Sequence, residues 1–443
     1  MWLRHLLVLS LLLGATSVAS AGNGDAVPVS NEAALMGQAA VANGTGAAAM
    51  YYNPALLGRL EQSRADVSGS AFHLRISRSA DLLTTSASEL AVRNTEIVSI
   101  PSALAYARPV GDDWRVGFGV FSPAAQDFQL TVELDGREGD RDGGLRITLL
   151  DETSIYVGVF SVARRLGRGL WLGASLEGVY GTAATTTFLT GRIAGPMGGF
   201  VVSSEEEIEL DFGGAAAQVG VTWDVSPRAT LALTVSTPII ALAATGSVRG
   251  VAASGGDGEL GGDTTSFETF SEPIPPARVG PVDGVSFRAG AEVRATPRLR
   301  LAVDGEVRTP MTNADLGTEV DAFWNLRLGL EGRVAETFWL AGGVFTDRQG
   351  EREVSAFAVN RVDFWGMTAG ARWQSSYLLA EGEQRDRVTF GSVLALRYAY
   401  GRGSVGGLRA NFQAASEAEG LTFRAAELVQ HELGVHIGAW TAF

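Results

Sequence analysis

Few residues of this chain could do chemistry, and they are poorly grouped for it. Four histidines occur, and three of them, His73, His431 and His436, lie beyond residue 21. A hydrolase would need one of these beside a serine it activates, and no G-x-S-x-G turn is present. His73 alternates in step with Arg75, which turns it toward a charged interior; a structural role fits all three better than catalysis. Gly256-Asp257-Gly258-Glu259-Leu260-Gly261 fits the phosphate-binding pattern G-x-G-x-x-G. No strand feeds it, no helix follows, and its acidic residues would repel phosphate. "DGREGDRDGG" (135–144) crowds carboxylates as calcium loops do, yet Arg137 and Arg141 interrupt an incomplete ligand pattern. Cysteine is absent, so no disulfide framework or Cys-based metal site is available. These residues point away from an enzyme and call for no cofactor and no metal.

The elements that would carry side chains begin after a leader. Arg4 and His5 precede the apolar run Leu6 to Leu13, and Ala19-Ser20-Ala21 makes a cleavage site, so residues 1–21 read as a signal peptide. A membrane-anchor helix would need about 20 apolar residues. The formal charge of -14 argues against nucleic acid as a partner. Every basic side chain apart from histidine is an arginine. Beyond the leader no run is long and apolar enough for a spanning helix. The nearest, "ATLALTVSTPIIALAATG" (229–246), is broken by Thr234, Ser236, Thr237 and Pro238 and alternates as a strand does.

Strand patterns continue to the end of the chain. In "NLRLGLEGRV", Leu326, Leu328 and Leu330 fall on one face and Arg327, Glu331 and Arg333 on the other. About fourteen such segments can be counted, near 62–77, 97–109, 113–122, 152–163, 169–185, 204–224, 228–246, 284–294, 298–308, 322–334, 337–346, 362–374, 387–400 and 430–443. Tight turns ("VGDD", "LGRG", "SPR", "ATP", "VAET") alternate with long connections at 78–96, 123–151, 247–283, 347–361 and 401–429, the habit of outer-membrane barrels. The link at 375–386 is long for its side. Trp114, Trp171, Trp223, Trp339, Trp373 and Trp440 gather at one set of strand ends and Trp324 and Trp365 at the other, as interfacial girdles do. The last strand, "ELGVHIGAWTAF", ends on Phe443 and resembles the signal read by bacterial barrel-assembly machinery. The fold class predicted is all-β: a transmembrane antiparallel β-barrel spanning 61–443 in a Gram-negative outer membrane, in contact with its lipid and lipopolysaccharide. With the turn at 295–297, Glu292 is expected opposite Arg300 and Arg288 opposite Asp304. Arg327, Arg372 and Arg397 point inward without evident partners and are candidates for receiving a ligand carboxylate.

An even-stranded barrel leaves both chain ends on the periplasmic side, and residues 22–60 must then fold in the lumen. "VANGTGAAAMYYNPALLGRL" (41–60) suits a plug, being small, glycine-rich and fixed at Asn53 by Pro54. This stretch, with Gly37-Gln38-Ala39-Ala40-Val41-Ala42 and Ala48-Ala49-Met50-Tyr51-Tyr52-Asn53-Pro54-Ala55, resembles the N-terminal hatch of the FadL/TodX transporters of long-chain fatty acids and aromatic hydrocarbons. "SIPSALAYARPVGDDWRVGFGVFSP" (99–123) is similar to that family's second hairpin. "VSTPIIALAATG" is similar to its Tyr-Arg-Ser-Pro strand, with Val235 and Ser236 in place of Tyr-Arg. "VDAFWNLRLGLEGRV" and "NRVDFWGMTAGARW" are similar to later strands.

The resemblance implies passive uptake of hydrophobic small molecules, captured at extracellular loops such as 190–204 and 248–256. They would be held against the hatch by Met50, Tyr51, Tyr52, Asn53, Pro54 and Ala55, and released sideways through a wall gap as the hatch shifts. An alternative is a barrel of the same type that serves a secretion or surface machinery as anchor or shuttle, with the 375–386 link as a docking surface. A polar porin is disfavoured, because an intact plug would block water.

Overall fold

The computed structural model describes residues 27–84, 89–138, 141–195, 198–256, 264–274, 280–281, 283–313, 318–350, 360–381, 384–410 and 421–443. The expected signal peptide, residues 22–26 of the expected plug and residues 257–261 of the glycine-rich motif lie outside these residues.

Seventeen strand segments form one closed sheet, a barrel of fourteen antiparallel strands. They are β1 (Arg64–Thr84), β2 (Glu89–Val110), β3 (Trp114–Glu138), β4 (Arg141–Gly167), β5 (Leu170–Gly195) and β6 (Gly198–Ser226). β7 is made of Ala229–Ser236 and Ile240–Gly256, and β8 of Thr264–Ile274, Gly280–Pro281 and Ser286–Thr296. β9 (Leu299–Arg308), β10 (Phe323–Ala335), β11 (Phe338–Asp347), β12 (Asn360–Glu381), β13 (Gln384–Ala410) and β14 (Leu421–Ala442) complete the wall. Closure comes from β1 lying antiparallel to β14, from Arg64 opposite Ala442 to Ser79 opposite Leu428. No helix among the described residues is long and apolar enough to cross a membrane.

Two expectations about connections are corrected. The segment 123–151 is mostly ladder, because β3 and β4 stay paired as far as Glu138 opposite Arg141. Likewise 190–204 is the end of the β5–β6 hairpin, paired to Gly195 opposite Gly198, and 248–256 is strand. Alternating small and β-branched residues let the ladder run on after the lipid-facing apolar stripe has ended. The link 375–386 is also a hairpin, with β12 and β13 paired to Glu381 opposite Gln384.

Alternation sets the faces. Leu326, Leu328 and Leu330 are 48%, 51% and 50% exposed, while Arg327 and Glu331 are buried inside. Arg333, expected in the lumen, is instead exposed at the rim, where its guanidinium donates to Glu336 O at 2.7 Å. His431 faces outward with the same parity as Leu433, beside the Tyr398 hydroxyl at 2.9 Å, and not into the lumen. Among the tryptophans Trp114, Trp223, Trp324, Trp365 and Trp373 are exposed, but Trp171 and Trp440 are buried. Each of these two lies over a glycine, Gly58 and Gly391 respectively. The β8–β9 turn sits two residues further along than expected, with Thr296 opposite Leu299. Arg288 therefore opposes Glu306, Gly290 opposes Asp304, and Glu292 opposes Ala302.

Arginine in place of a lipid-facing residue costs roughly 2–4 kcal/mol near the bilayer midplane. Leu328→Arg is expected to lower the yield of heat-modifiable folded barrel much further than Arg327→Leu, which leaves Glu306 with Arg288 and Arg308. Equal losses on a folding gel would contradict the assignment of faces.

Candidate functional site

The N-terminal segment forms a short helix α1 (Asn31–Leu35) and two 3-10 turns, Ala47–Tyr51 and Pro54–Arg59. Ser30 caps α1 by accepting the Ala33 N–H at 3.1 Å, and Asn53 caps the last turn by accepting the Ala55 N–H at 3.0 Å. Pro54 occupies the first position of that turn, where no N–H is needed. So little regular structure leaves many backbone groups to satisfy, and wall side chains do much of it. Asp304 on β9 accepts from Ala40 N at 2.5 Å and Val41 N at 2.7 Å. Asp66 on β1 accepts from Ala47 N and Ala48 N. Thr368 on β12 accepts from Gly37 N at 2.8 Å and donates to Leu35 O at 3.0 Å.

Close approach is allowed by glycines on the inner wall. A Cβ at Gly173 would strike the Pro54-Ala55 backbone, at Gly220 the Asn53 carboxamide, and at Gly329 and Gly343 the Met36-Gly37 backbone. At Gly438 it would strike Asn31. These glycines lie on β5, β6, β10, β11 and β14, so the segment is ringed by the wall.

Of the residues expected to shape a pocket, Met50, Tyr52, Asn53, Pro54 and Ala55 are all buried, and only Tyr51 is partly exposed. Asn53 and its neighbours thus fasten the segment, its carboxamide donating to Val41 O and to the Thr222 hydroxyl at 3.1 Å each. Tyr51 packs against Phe121 of β3 with ring centroids 5.1 Å apart. Around it an apolar cluster collects Ala103, Phe121, Val157, Val159 and Val179, with Ile155, Phe212 and Ile239 at its edge. This cluster, which periodicity gave no means of assembling, joins strands β2 to β7.

Phe121 also marks a break in the wall. β2 and β3 pair from Val110 opposite Trp114 only to Ala103 opposite Phe121. Beyond that point β2 pairs with β1 alone and β3 with β4 alone among the described residues. Pro101 and Pro123 lie on the two parting strands, and β3 is irregular between Phe121 and Ala124. Proline cannot donate to a ladder and is confined to edges and bulges, so the pair locates the opening.

The opposite side of the lumen is charged and paired. Arg327 donates to Glu306 at 2.7 Å, Arg372 lies 2.9 Å from Glu331, and Arg397 donates to Glu432 at 2.6 Å. The three arginines expected to lack partners are therefore each engaged by a carboxylate of the protein. His73 and His436 are buried near Arg397, lining a small cavity closed by Pro28 and Ala34. Arg64 joins several parts at once: it contacts Asp66 at 2.9 Å, Glu32 at 3.9 Å and Thr45 O at 3.2 Å, and lies 4.2 Å from the centre of the Trp440 ring. Burial acts to raise the pKa of Glu32, but the Arg64 charge, the Thr45 hydroxyl hydrogen bond and the Arg300 charge outweigh it. Its carboxyl is held below the ordinary value of 4.5. Among the described residues no three His, Cys, Asp or Glu side chains are grouped as metal ligands.

A closed fourteen-strand wall, an N-terminal segment held inside it and a parted strand pair are features to compare with known structures. No family model and no curated protein matches the sequence. The crystal structure of a Pseudomonas aeruginosa FadL homologue superposes with a TM-score of 0.57 at 12% identity, covering 93% of this chain and 97% of that one. The fold is that of the FadL/TodX-type channels. The Pseudomonas putida toluene transporter TodX gives 0.54 at 11% identity over 92% and 97% of the two chains. The Ralstonia pickettii toluene transporter TbuX gives 0.52 at 13% over 93% and 98%.

Removing an N-cap such as Asn53 costs about 0.5–2 kcal/mol of local stability. Asn53→Ala with Pro54→Gly is expected to speed protease cleavage within 27–60 roughly tenfold while the wall stays heat-modifiable. A carboxyl whose folded pKa is depressed stabilises the folded state above its unfolded value, and that contribution is lost as pH falls through the folded value. Hydrogen exchange in 27–60 should therefore rise as pH drops below 4.5, and Glu32→Gln should flatten the dependence.

Proposed function

We propose that this protein is an outer-membrane channel for passive uptake of hydrophobic compounds, with residues 22–60 as its hatch. The observation that carries the reading is the parting of β2 and β3 next to an apolar cluster that includes the segment's own Tyr51. A membrane barrel ordinarily pairs every strand, because lipid cannot satisfy backbone groups. An opening beside an apolar lumenal surface gives a hydrophobic molecule a way into the bilayer without crossing water. The polar groups that would define an aqueous pore are instead engaged with one another on the far side. In this reading the ligand rests against Tyr51 and Phe121, and displacement of the segment frees its path to the gap. The FadL-type and toluene-channel folds support a channel, and no step in this reading is catalytic.

One observation favours a second reading, a membrane anchor for a partner protein. The β12–β13 hairpin runs past Trp373, beyond pairing with either neighbour, and carries Tyr377 and Leu378 58% and 67% exposed. A partner in the periplasm could pair with its edges.

Uptake by cells separates the two. Cells expressing the barrel are expected to accumulate a labelled monoaromatic hydrocarbon severalfold above empty-vector cells. Cysteines introduced at Ser102 and Ser122 and bridged by a short bismaleimide should remove most of that excess. Accumulation equal to empty vector for every apolar compound tried would sink the channel reading and leave the anchor.

A further inference from the structure

We infer that Glu177 is a specificity determinant of this lumen: it turns away molecules bearing a carboxylate and leaves the path to uncharged apolar ones. The inference rests on the channel reading and narrows its substrate class.

Glu177 lies on the inner face of β5, in step with Ser175 and Val179. Its cross-strand neighbours are Val159 on β4 and Ala216 on β6, both buried and apolar. The carboxyl is thereby set within the apolar cluster that reaches Phe121 at the wall gap. Among the described residues no donor lies within hydrogen-bond distance of it and no cation within ion-pair distance. Arg288, across the lumen on β8, is itself 3.2 Å from Glu306. The remaining inward arginines offer an incoming anion no better partner, since Arg327, Arg372 and Arg397 each hold a protein carboxylate.

An unpaired carboxyl on an apolar surface is what a site built against anions presents. Like charges brought together in such surroundings repel far more strongly than in water, and discrimination of this kind works by penalising the wrong ligand. A long-chain fatty acid sliding along the cluster would bring its head group against Glu177 with no free guanidinium to offset the repulsion. A hydrocarbon of the same girth meets only apolar side chains. A fatty acid methyl ester, matched in length and shape, meets the same surface without the charge.

The test uses the full chain in nanodiscs, at neutral pH, with radiolabelled palmitate and methyl palmitate as paired probes. Wild type is expected to retain the ester over the free acid by roughly tenfold, the scale of one like-charge contact at a half-buried site. Glu177→Gln, which keeps size and shape, should bring the ratio toward unity, and Glu177→Arg should invert it. Heat-modifiable mobility checks that both variants fold. Equal retention of acid and ester by wild type, or a ratio that neither substitution moves, overturns the assignment of Glu177. Retention of neither probe, together with no hydrocarbon uptake by cells, overturns the channel reading itself.

Discussion

Every backbone N–H and C=O that lies in lipid must find a partner within the protein, and most of this structure follows from that requirement. It forces the strands to close on themselves, with β1 returning to β14 along most of its length. It also makes the one place where neighbouring strands separate informative. Between β2 and β3 the pairing stops at Ala103 and Phe121, although both strands continue. The chain reduces the cost there with Pro101 and Pro123, which have no N–H to lose, and with an irregularity that re-aims β3.

The interior poses the complementary problem. A wall with alternating faces delivers charged side chains to the lumen, and buried charges are tolerated when paired. The charged half of the lumen meets this with arginine forks, Glu306 alone receiving Arg288, Arg308 and Arg327. Residues 27–60 have too little helix to satisfy their own backbone, so Asp66, Asp304 and Thr368 do it from the wall. That works only at short range, which is why glycines stand where the segment touches the strands. The other half is apolar, and the two halves together give the lumen a polar flank and a greasy flank.

Much of the wall was legible in the sequence because two-residue periodicity is a strong signal. Leu326, Leu328 and Leu330 against Arg327 and Glu331 is the clearest instance. Strand ends were less legible: ladders run past the lipid stripe wherever small and β-branched residues allow, as at 123–151. Register was missed by two residues at β8–β9, since the tight turn there fits several placements and all of them keep side-chain parity. Trp171 and Trp440 looked interfacial by position, yet a facing glycine draws each ring inward. The partners of Arg327, Arg372 and Arg397 come from strands distant in sequence or register, which a single chain read in order does not bring together. Asn53 and Pro54 drew attention through turn chemistry, but the gap needed two prolines on adjacent strands to be seen side by side.

Arg64 stands at a seam. It opens the first strand, lies over Trp440 of the last strand, and holds Glu32 and Thr45 of the segment that precedes it in the chain. The wall surrounds that segment, so the segment has to be indoors before the final strand is laid. A guanidinium that needs all three neighbours at once is fully satisfied only when the contents are packed and the seam is shut. The order of assembly is thus written into one side chain: a barrel that closed empty would leave that cation half-coordinated at its own join.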